Sequence, residues 1–336
     1  MSQVYPIRQG IGATTIVGPL SGFGELEVVS PEPTSQVSFV YGLNPQLLTV
    51  YTYGAGASAT SIEGEAVLSS GTATDGYARL VSKKVAKYRA GQSTMAKWTA
   101  RFPNGGFAGN RQMTGLYNIE AGYQFGYSGT TFGILYTASS VIEVQTLTIT
   151  VKSSSATNVT VTLDGGAPVV VPVTNGANTN ITAYEISRAN YSQSAGGWDA
   201  VAIANVVYFT RRIPGPAGAS SFAPGTSGAV GAFTTVTTGV IADEQFIPQT
   251  TWNTDKFDGT GPSGQTLNPT KGNVFGVQFQ YLGYGDAFFY IVNGNTGRLQ
   301  LVHNIRNANT RTTTNLRNPS LYLTWETRNT GTGTSR

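Results

Sequence analysis

The chain contains no cysteine and only one histidine, and 11% of its 336 residues are charged. The absence of cysteine excludes a disulfide framework. Metal sites and acid–base centres are mostly built from histidine, cysteine or clustered carboxylates, so little of the material for enzyme chemistry is present. We therefore expect a protein that is not an enzyme, that uses no cofactor and whose function depends on its surfaces.

Neither sign of charge is in large excess, because the chain has 21 basic and 17 acidic residues and a formal charge of +4. A charge this dilute does not indicate a nucleic-acid partner. No apolar run approaches the roughly 20 residues that span a bilayer, so we expect no membrane insertion. Residues 1–20 lack the charged and apolar regions of a secretory signal, and we expect no cleaved leader.

The residues that are plentiful favour β-structure. The chain has 42 glycines and much Thr, Val and Tyr, which suit strands joined by tight turns. In residues 95–102, Trp98 and Phe102 fall on one face of a two-residue period, as in a half-buried strand. Residues 122–136 and 276–303 have the pattern of hairpins. The sequence predicts a mainly β fold, an antiparallel β-sandwich of jelly-roll or lectin-like kind with a small α+β insert.

Changes in composition divide the chain into parts. Residues 1–63 predict an N-terminal arm and the first strands. Residues 64–142 and 213–328 predict the β-sandwich, interrupted by an inserted α+β module at residues 143–212. Residues 329–336 are rich in Gly and Thr and predict a flexible tail.

The predicted insert contains the one clear helix signal. Thr182 and Glu185 have the spacing of a capping box, and Ile181 and Ile186 are placed for a hydrophobic staple. These residues predict a helix that begins at Thr182 and ends before the glycine pair at residues 196–197.

Five residues are candidates for contact with a host-surface glycan or a partner protein. Tyr281, Tyr284 and Tyr290 alternate with polar residues, as on surfaces that stack on carbohydrate. Arg298 and Arg306 belong to a basic segment that suits an acidic partner. Packing in a core or between subunits is the alternative for the tyrosines, and a solvated sheet face is the alternative for the arginines.

The sequence gives weaker support to a catalytic or a metal-binding function. A polysaccharide-cleaving enzyme needs two carboxylates, but nothing in the sequence pairs Asp286, Glu120 or Glu143. His303 follows an apolar strand and no Gly-x-Ser-x-Gly motif is present, so we interpret it as a structural residue. Residues 253–259 contain oxygen ligands but lack the spacing of a calcium loop, and we predict no metal site there.

Three blocks carry a resemblance to a known class. Residues 77–92, 121–135 and 268–303 resemble β-rich virion proteins of tailed bacteriophages and of large double-stranded DNA viruses, of the fibre, tail or capsid-appendage kind. The similarity spans most of residues 64–325, including the segment 182–186. It consists of sandwich strands and not of catalytic motifs, and no functional residues of such proteins match positions here.

The resemblance implies a virion structural protein that is assembled in the host cytoplasm. Its expected partners are further copies of itself, with a trimer as one candidate state, and other virion proteins, in a role that includes host attachment. A lectin-like module that binds host-surface glycan is the alternative function. A polysaccharide-degrading enzyme is a third hypothesis.

Overall fold

The computed structural model describes residues 33–331, apart from the side chain at 242, and the backbone of two short strands at 5–8 and 13–16. Half of the structure is strand and 4% is helix, in antiparallel sheets. The predicted class, a β-sandwich with a small helical insert, is confirmed. Most of the predicted arm before residue 33 and the tail residues 332–336 lie outside the described residues.

The described elements are one α-helix, one 3-10 turn at Gln249–Thr251, and strands that we number in chain order. The helix α1 is Thr179–Ser187. The strands are β1 (Tyr5–Arg8), β2 (Ala13–Ile16), β3 (Leu48–Tyr53), β4 (Ala57–Ile62), β5 (Glu65–Ser70), β6 (Tyr77–Ala86), β7 (Thr94–Ala100), β8 (Asn110–Tyr117), β9 (Gly122–Ser128), β10 (Thr131–Val151), β11 (Thr157–Thr162), β12 (Val169–Val173), β13 (Trp198–Ile203), β14 (Val206–Pro214), β15 (Ser221–Ala223), β16 (Val230–Thr237), β17 (Val240–Pro248), β18 (Asn273–Phe279), β19 (Ala287–Val292), β20 (Leu299–Ile305) and β21 (Leu321–Asn329).

The first core lies between two sheets. The main sheet has the order β13-β14-β10-β9-β8-β21-β6-β3, and a four-stranded sheet, β20-β19-β18-β7, packs on it. Trp98 of β7 pairs with Phe275 of β18, and both rings are buried against Phe125 of β9. Trp98 and Phe102 are buried while Thr99 and Arg101 between them are exposed, which confirms the predicted two-residue period. Aromatic burial of this kind contributes about 1.5–3 kcal/mol per side chain.

A second core lies in the region of the predicted insert. Leu147 of β10 and Phe209 of β14 are fully buried beneath α1 and the three-stranded sheet β12-β11-β15. We predicted an insert at residues 143–212. In the structure, Phe222 of β15 and Phe233 of β16 also pack against this core, so the unit continues through β16.

Strand β10 joins the two cores. Its first half pairs with β9 and β17, and its second half pairs with β14 and β16. Ile134 in the first half is fully buried in the first core, and Ile149 in the second half is fully buried in the second core. A register shift between Ile142 and Val144 marks the junction. One continuous strand therefore belongs to both units.

The helix begins earlier than predicted. Asn178 is the N-cap, and its side chain accepts hydrogen bonds from the N–H groups two and three residues later at 3.1 and 3.2 Å. Thr182 is buried inside the helix and accepts a hydrogen bond from the Ser153 N–H at 3.0 Å, while Glu185 accepts one from the Thr174 N–H at 3.1 Å. The predicted capping box is therefore wrong, because asparagine caps the helix and both predicted partners bond elsewhere.

The last described strand also extends beyond the predicted boundary. Asn329, the first residue of the predicted tail, ends β21 and is buried. Its side-chain amide donates to the carbonyls of Gly71 and Ala73 at 3.2 and 2.7 Å. These bonds fix the end of β21 to the loop that follows β5.

Candidate ligand-binding groove

The main sheet is curled, and its face turned away from the first core is concave and rich in polar side chains. Tyr322 of β21 lies opposite Tyr117 of β8, and Tyr51 of β3 lies opposite Arg79 of β6. Residues directly opposite in antiparallel strands project from the same face. These four side chains therefore form part of one surface.

A groove of about 300 Å³ runs along this concave face. That volume is at the small end of the range of about 300–1,000 Å³ for ligand sites. Its lining includes three tyrosines, a guanidinium, a carboxylate and an amide, which belong to Tyr51, Arg79, Tyr117, Glu120, Asn318 and Tyr322. Aromatic faces with a few polar groups around them suit stacking on a sugar ring combined with hydrogen bonds to its hydroxyls.

Arginine side chains hold Tyr51 in the groove wall. The Arg79 guanidinium lies 5.0 Å from the centre of the Tyr51 ring, and the Arg212 guanidinium lies 5.3 Å from it. Arg79 is only 5% exposed, donates to the Arg212 carbonyl at 2.9 Å and lies 3.5 Å from the Glu326 carboxylate. Two cation–π contacts and a buried ion pair therefore restrict the Tyr51 ring before any ligand binds.

The opposite side of the groove is held by hydrogen bonds to backbone. The Tyr117 hydroxyl donates to the Ile119 carbonyl at 3.1 Å, and burial raises the pKa of Tyr117. The Asn118 amide donates to the carbonyls of Asn318 and Ser320 at 3.0 and 2.9 Å. The groove is thus largely pre-formed, and the Tyr117 hydroxyl in it is neutral at physiological pH.

The five predicted contact residues lie elsewhere and do not form one site. Tyr281 packs on the first core, donates to the Leu316 carbonyl at 3.0 Å and meets the Tyr88 ring edge-on at 5.0 Å. Tyr290 is half-buried on β19 and lies 3.3 Å from the Gln278 side-chain oxygen.

The other three predicted residues are exposed at the ends of the four-stranded sheet. Tyr284 lies in the turn between β18 and β19 and is 42% exposed. Arg298 comes just before β20 and Arg306 just after it, so the seven residues of β20, about 23 Å of extended chain, separate them. Tyr284 and Arg306 share one end of the sheet because Ala287 pairs with Ile305.

The sequence does not predict the groove residues, because they come from strands that are far apart in the chain. Tyr51 and Tyr322 share the groove, yet more than two hundred residues separate them. A local signal exists in β21, where Tyr322, Glu326 and Arg328 fall on one face of a two-residue period. That alternation predicts a polar sheet face, but only the strand order places it opposite Tyr117.

The carboxylates considered for catalysis have structural partners. Glu143 is 3% exposed, and one of its oxygens accepts hydrogen bonds from two backbone N–H groups at 2.7 and 3.3 Å. Asp286 accepts a hydrogen bond from the Asn307 N–H at 3.0 Å. Glu120 lines the groove and lies 3.9 Å from Arg317.

The single histidine is also part of the scaffold. His303 is 7% exposed on β20, and its Nδ1 accepts a hydrogen bond from the Asn253 N–H at 3.1 Å. Burial lowers the pKa of His303 to about 4. The imidazole is therefore neutral at physiological pH and supports the loop that contains Asn253.

The described part of the chain contains no group of three His, Cys, Asp or Glu side chains that could hold a metal ion. None of its helices is long and apolar enough to cross a membrane. Comparison of the chain with protein-family models and with curated proteins found no match.

Proposed function

We propose that the protein is a non-enzymatic virion structural protein, a fibre, tail or capsid-associated component, that self-associates and docks onto other virion proteins. In this proposal it is assembled in the host cytoplasm and resides in the virion. The sequence resemblance supports the class. The observation that carries the self-association is an exposed sheet face in the second unit on which apolar and uncharged polar side chains predominate.

This outer face is formed by β13, β14, β10 and β16. Val201 and Ile203 of β13 are 60% and 62% exposed, and Val230 and Val236 of β16 are 51% and 59% exposed. The register continues these rows through Tyr208, Val206, Thr146, Thr148, Ala232 and Thr234. Every one of these side chains is uncharged. Clustered apolar exposure of this kind is typical of a protein–protein interface.

The edge of the same face is open. Among the described strands, β13 pairs with β14 alone, so the N–H and C=O groups along its other edge have no strand partner. Edge strands are usually protected by charge or proline. On β13 the only charged residue is Asp199, which is paired with Arg212 at 2.6 Å. A second copy that docks here would bury apolar side chains and extend the sheet.

The test is the native mass of the full chain by sedimentation at moderate and high salt. We expect a salt-resistant oligomer, because apolar interfaces are little screened by ions and obligate ones bury upward of about 2,000 Å². Val201→Asp combined with Ile203→Asp should convert the oligomer to monomer. Val170→Asp is the matched control, since Val170 is 59% exposed on β12 outside this face. A folded wild-type chain that stays monomeric would contradict self-association.

A lectin-like function is the second candidate, and the groove is the observation that favours it. Its three tyrosines and its polar rim suit a short stretch of host-surface glycan. On a glycan panel we expect binding that Tyr322→Ala abolishes. Tyr284→Ala should leave binding unchanged, because Tyr284 is exposed outside the groove. Absence of binding by the wild type across the panel would exclude this candidate.

A further inference from the structure

A second, smaller cavity adjoins the groove on the same concave face. Its volume is about 30 Å³, above the roughly 10–15 Å³ that is needed to hold one water. The cavity lining contains three arginines, Arg79, Arg111 and Arg328, and two carboxylates, Glu244 and Glu326. The space therefore suits a small occupant, such as a water molecule or a monatomic ion.

The strand register places like charges side by side at this cavity. Arg328 of β21 lies directly opposite Arg111 of β8. Residues in such positions have Cβ atoms about 4.5–5.5 Å apart, and like charges there are destabilising. Arg79 of β6 lies opposite Glu326, two residues along β21 from Arg328 and on the same face. Three guanidinium groups therefore project from neighbouring positions.

The carboxylates do not balance the arginines. Arg111 forms a two-pronged ion pair with Glu244 at 2.8 and 3.0 Å, and Arg79 lies 3.5 Å from Glu326. Arg328 forms no ion pair with any described residue within 4.0 Å. The lining therefore carries three positive and two negative charges, a net charge of +1. Arg328 therefore carries the positive charge that no carboxylate of the lining balances.

Some buried hydrogen-bond donors of the lining also lack an acceptor. The Nε atoms of Arg79, Arg111 and Arg328 are all buried without a hydrogen-bond partner. Arg79 as a whole is 95% buried, since its exposure is 5%. A buried donor without an acceptor costs more free energy on a charged group than on a neutral one. The two carboxylates of the lining thus leave buried donors without an acceptor and one positive charge unbalanced.

We propose that this cavity binds a small monovalent anion of chloride size between Arg111 and Arg328, with Arg79 beside it. Such an anion accepts hydrogen bonds from guanidinium N–H groups and offsets the like-charge pair. A water molecule supplies the acceptor but leaves the charge unbalanced. The site is distinct from the self-association face and does not depend on the proposed function.

The test compares thermal unfolding of the full chain in sodium chloride and in sodium gluconate at equal ionic strength. Chloride should raise the unfolding midpoint above that in gluconate, and the rise should saturate with concentration, as for a ligand that binds the folded state. Arg328→Gln should abolish this difference. Arg306→Gln, at an exposed position away from the cavity, should retain it.

Bromide provides a readout that needs no variant. Crystals of the wild-type protein soaked in sodium bromide should show an anomalous peak between Arg111 and Arg328. This measurement also decides the question if Arg328→Gln does not fold. Equal unfolding midpoints in chloride and gluconate, or bromide-soaked crystals with only water at the cavity, would overturn the proposal.

Discussion

At the scale of single residues, the titration of His303 links stability to pH. The pKa of this imidazole is about 4 in the folded protein because of burial, against an ordinary value of 6.5. Protons therefore bind more readily to the unfolded chain between these two values. The stabilisation is complete above pH 6.5 and is lost as the pH falls towards 4, because the protonated imidazole favours unfolding.

We expect acidification to destabilise the protein through this one group. The pKa difference corresponds to about 3 kcal/mol of unfolding free energy lost between pH 7 and pH 4. His303→Asn removes the titration and retains an acceptor for the Asn253 N–H. Urea unfolding at pH 7, 5.5 and 4.5 should show a steeper loss in the wild type than in this variant. Equal losses of unfolding free energy in the wild type and the variant would show that other groups cause the acid sensitivity.

Residue-scale prediction from sequence worked where burial follows a local period. The period predicts the burial of Trp98 and Phe102 correctly, because Trp98 lies on β7 and Phe102 continues the same alternation just beyond the end of this strand. The groove was not predicted, since Tyr51, Tyr117 and Tyr322 come together only through the order of β3, β6, β21 and β8. Strand order depends on long-range pairing, which the two-residue period does not encode.

At the scale of elements, glycines allow the backbones of β8 and β9 to approach closely. A Cβ atom built on Gly126 of β9 would lie 1.8 Å from the Gln112 carbonyl oxygen, and one on Gly115 of β8 would lie 2.3 Å from the Tyr123 carbonyl oxygen. Glycine within a strand commonly marks a bend or a close backbone approach. The Gly-Tyr pattern predicts a hairpin here, which β9 and β10 form, but it does not predict the close approach of β9 to β8.

Gly126→Ala should therefore destabilise the protein. The added methyl group has to displace backbone, and overpacking of this kind costs typically about 1–3 kcal/mol. Gly272→Ala is the matched control, because a Cβ there meets no atom within 4 Å. Thermal midpoints followed by circular dichroism measure both variants. A Gly126→Ala protein as stable as Gly272→Ala would mean that the strands can separate at little cost.

The start of α1 shows what local motifs miss at this scale. Asn178 and Thr182 are both suitable N-cap residues, and the capping-box spacing of Thr182 and Glu185 favours the wrong one. Packing of the second core determines where the helix begins. The Thr182 side chain accepts a hydrogen bond from the N–H of Ser153, on the loop after β10, and Ile186 is fully buried. A helix of nine residues is set by such packing more than by its own propensity.

At the scale of the whole molecule, we expect the two cores to unfold together, because strand β10 belongs to both of them. Ile134 and Leu147 are fully buried in the first and second core, and both lie on this strand of 21 residues. Glu143 lies between them, and its carboxylate accepts from backbone N–H groups of residues 217 and 239. Unfolding either core would leave one half of β10 without its strand partners, directly next to the half that stays folded in the other core.

We expect one cooperative unfolding transition, and Ile134→Ala and Leu147→Ala should each lower its midpoint. Truncation of such buried side chains costs about 2–5 kcal/mol. Hydrogen exchange should show that Leu147→Ala also weakens protection of β18 in the first core, whereas Val170→Ala on the exposed side of β12 should change neither core. Two separate calorimetric transitions, with β18 protected as in the wild type, would show that the junction at Glu143 uncouples the units.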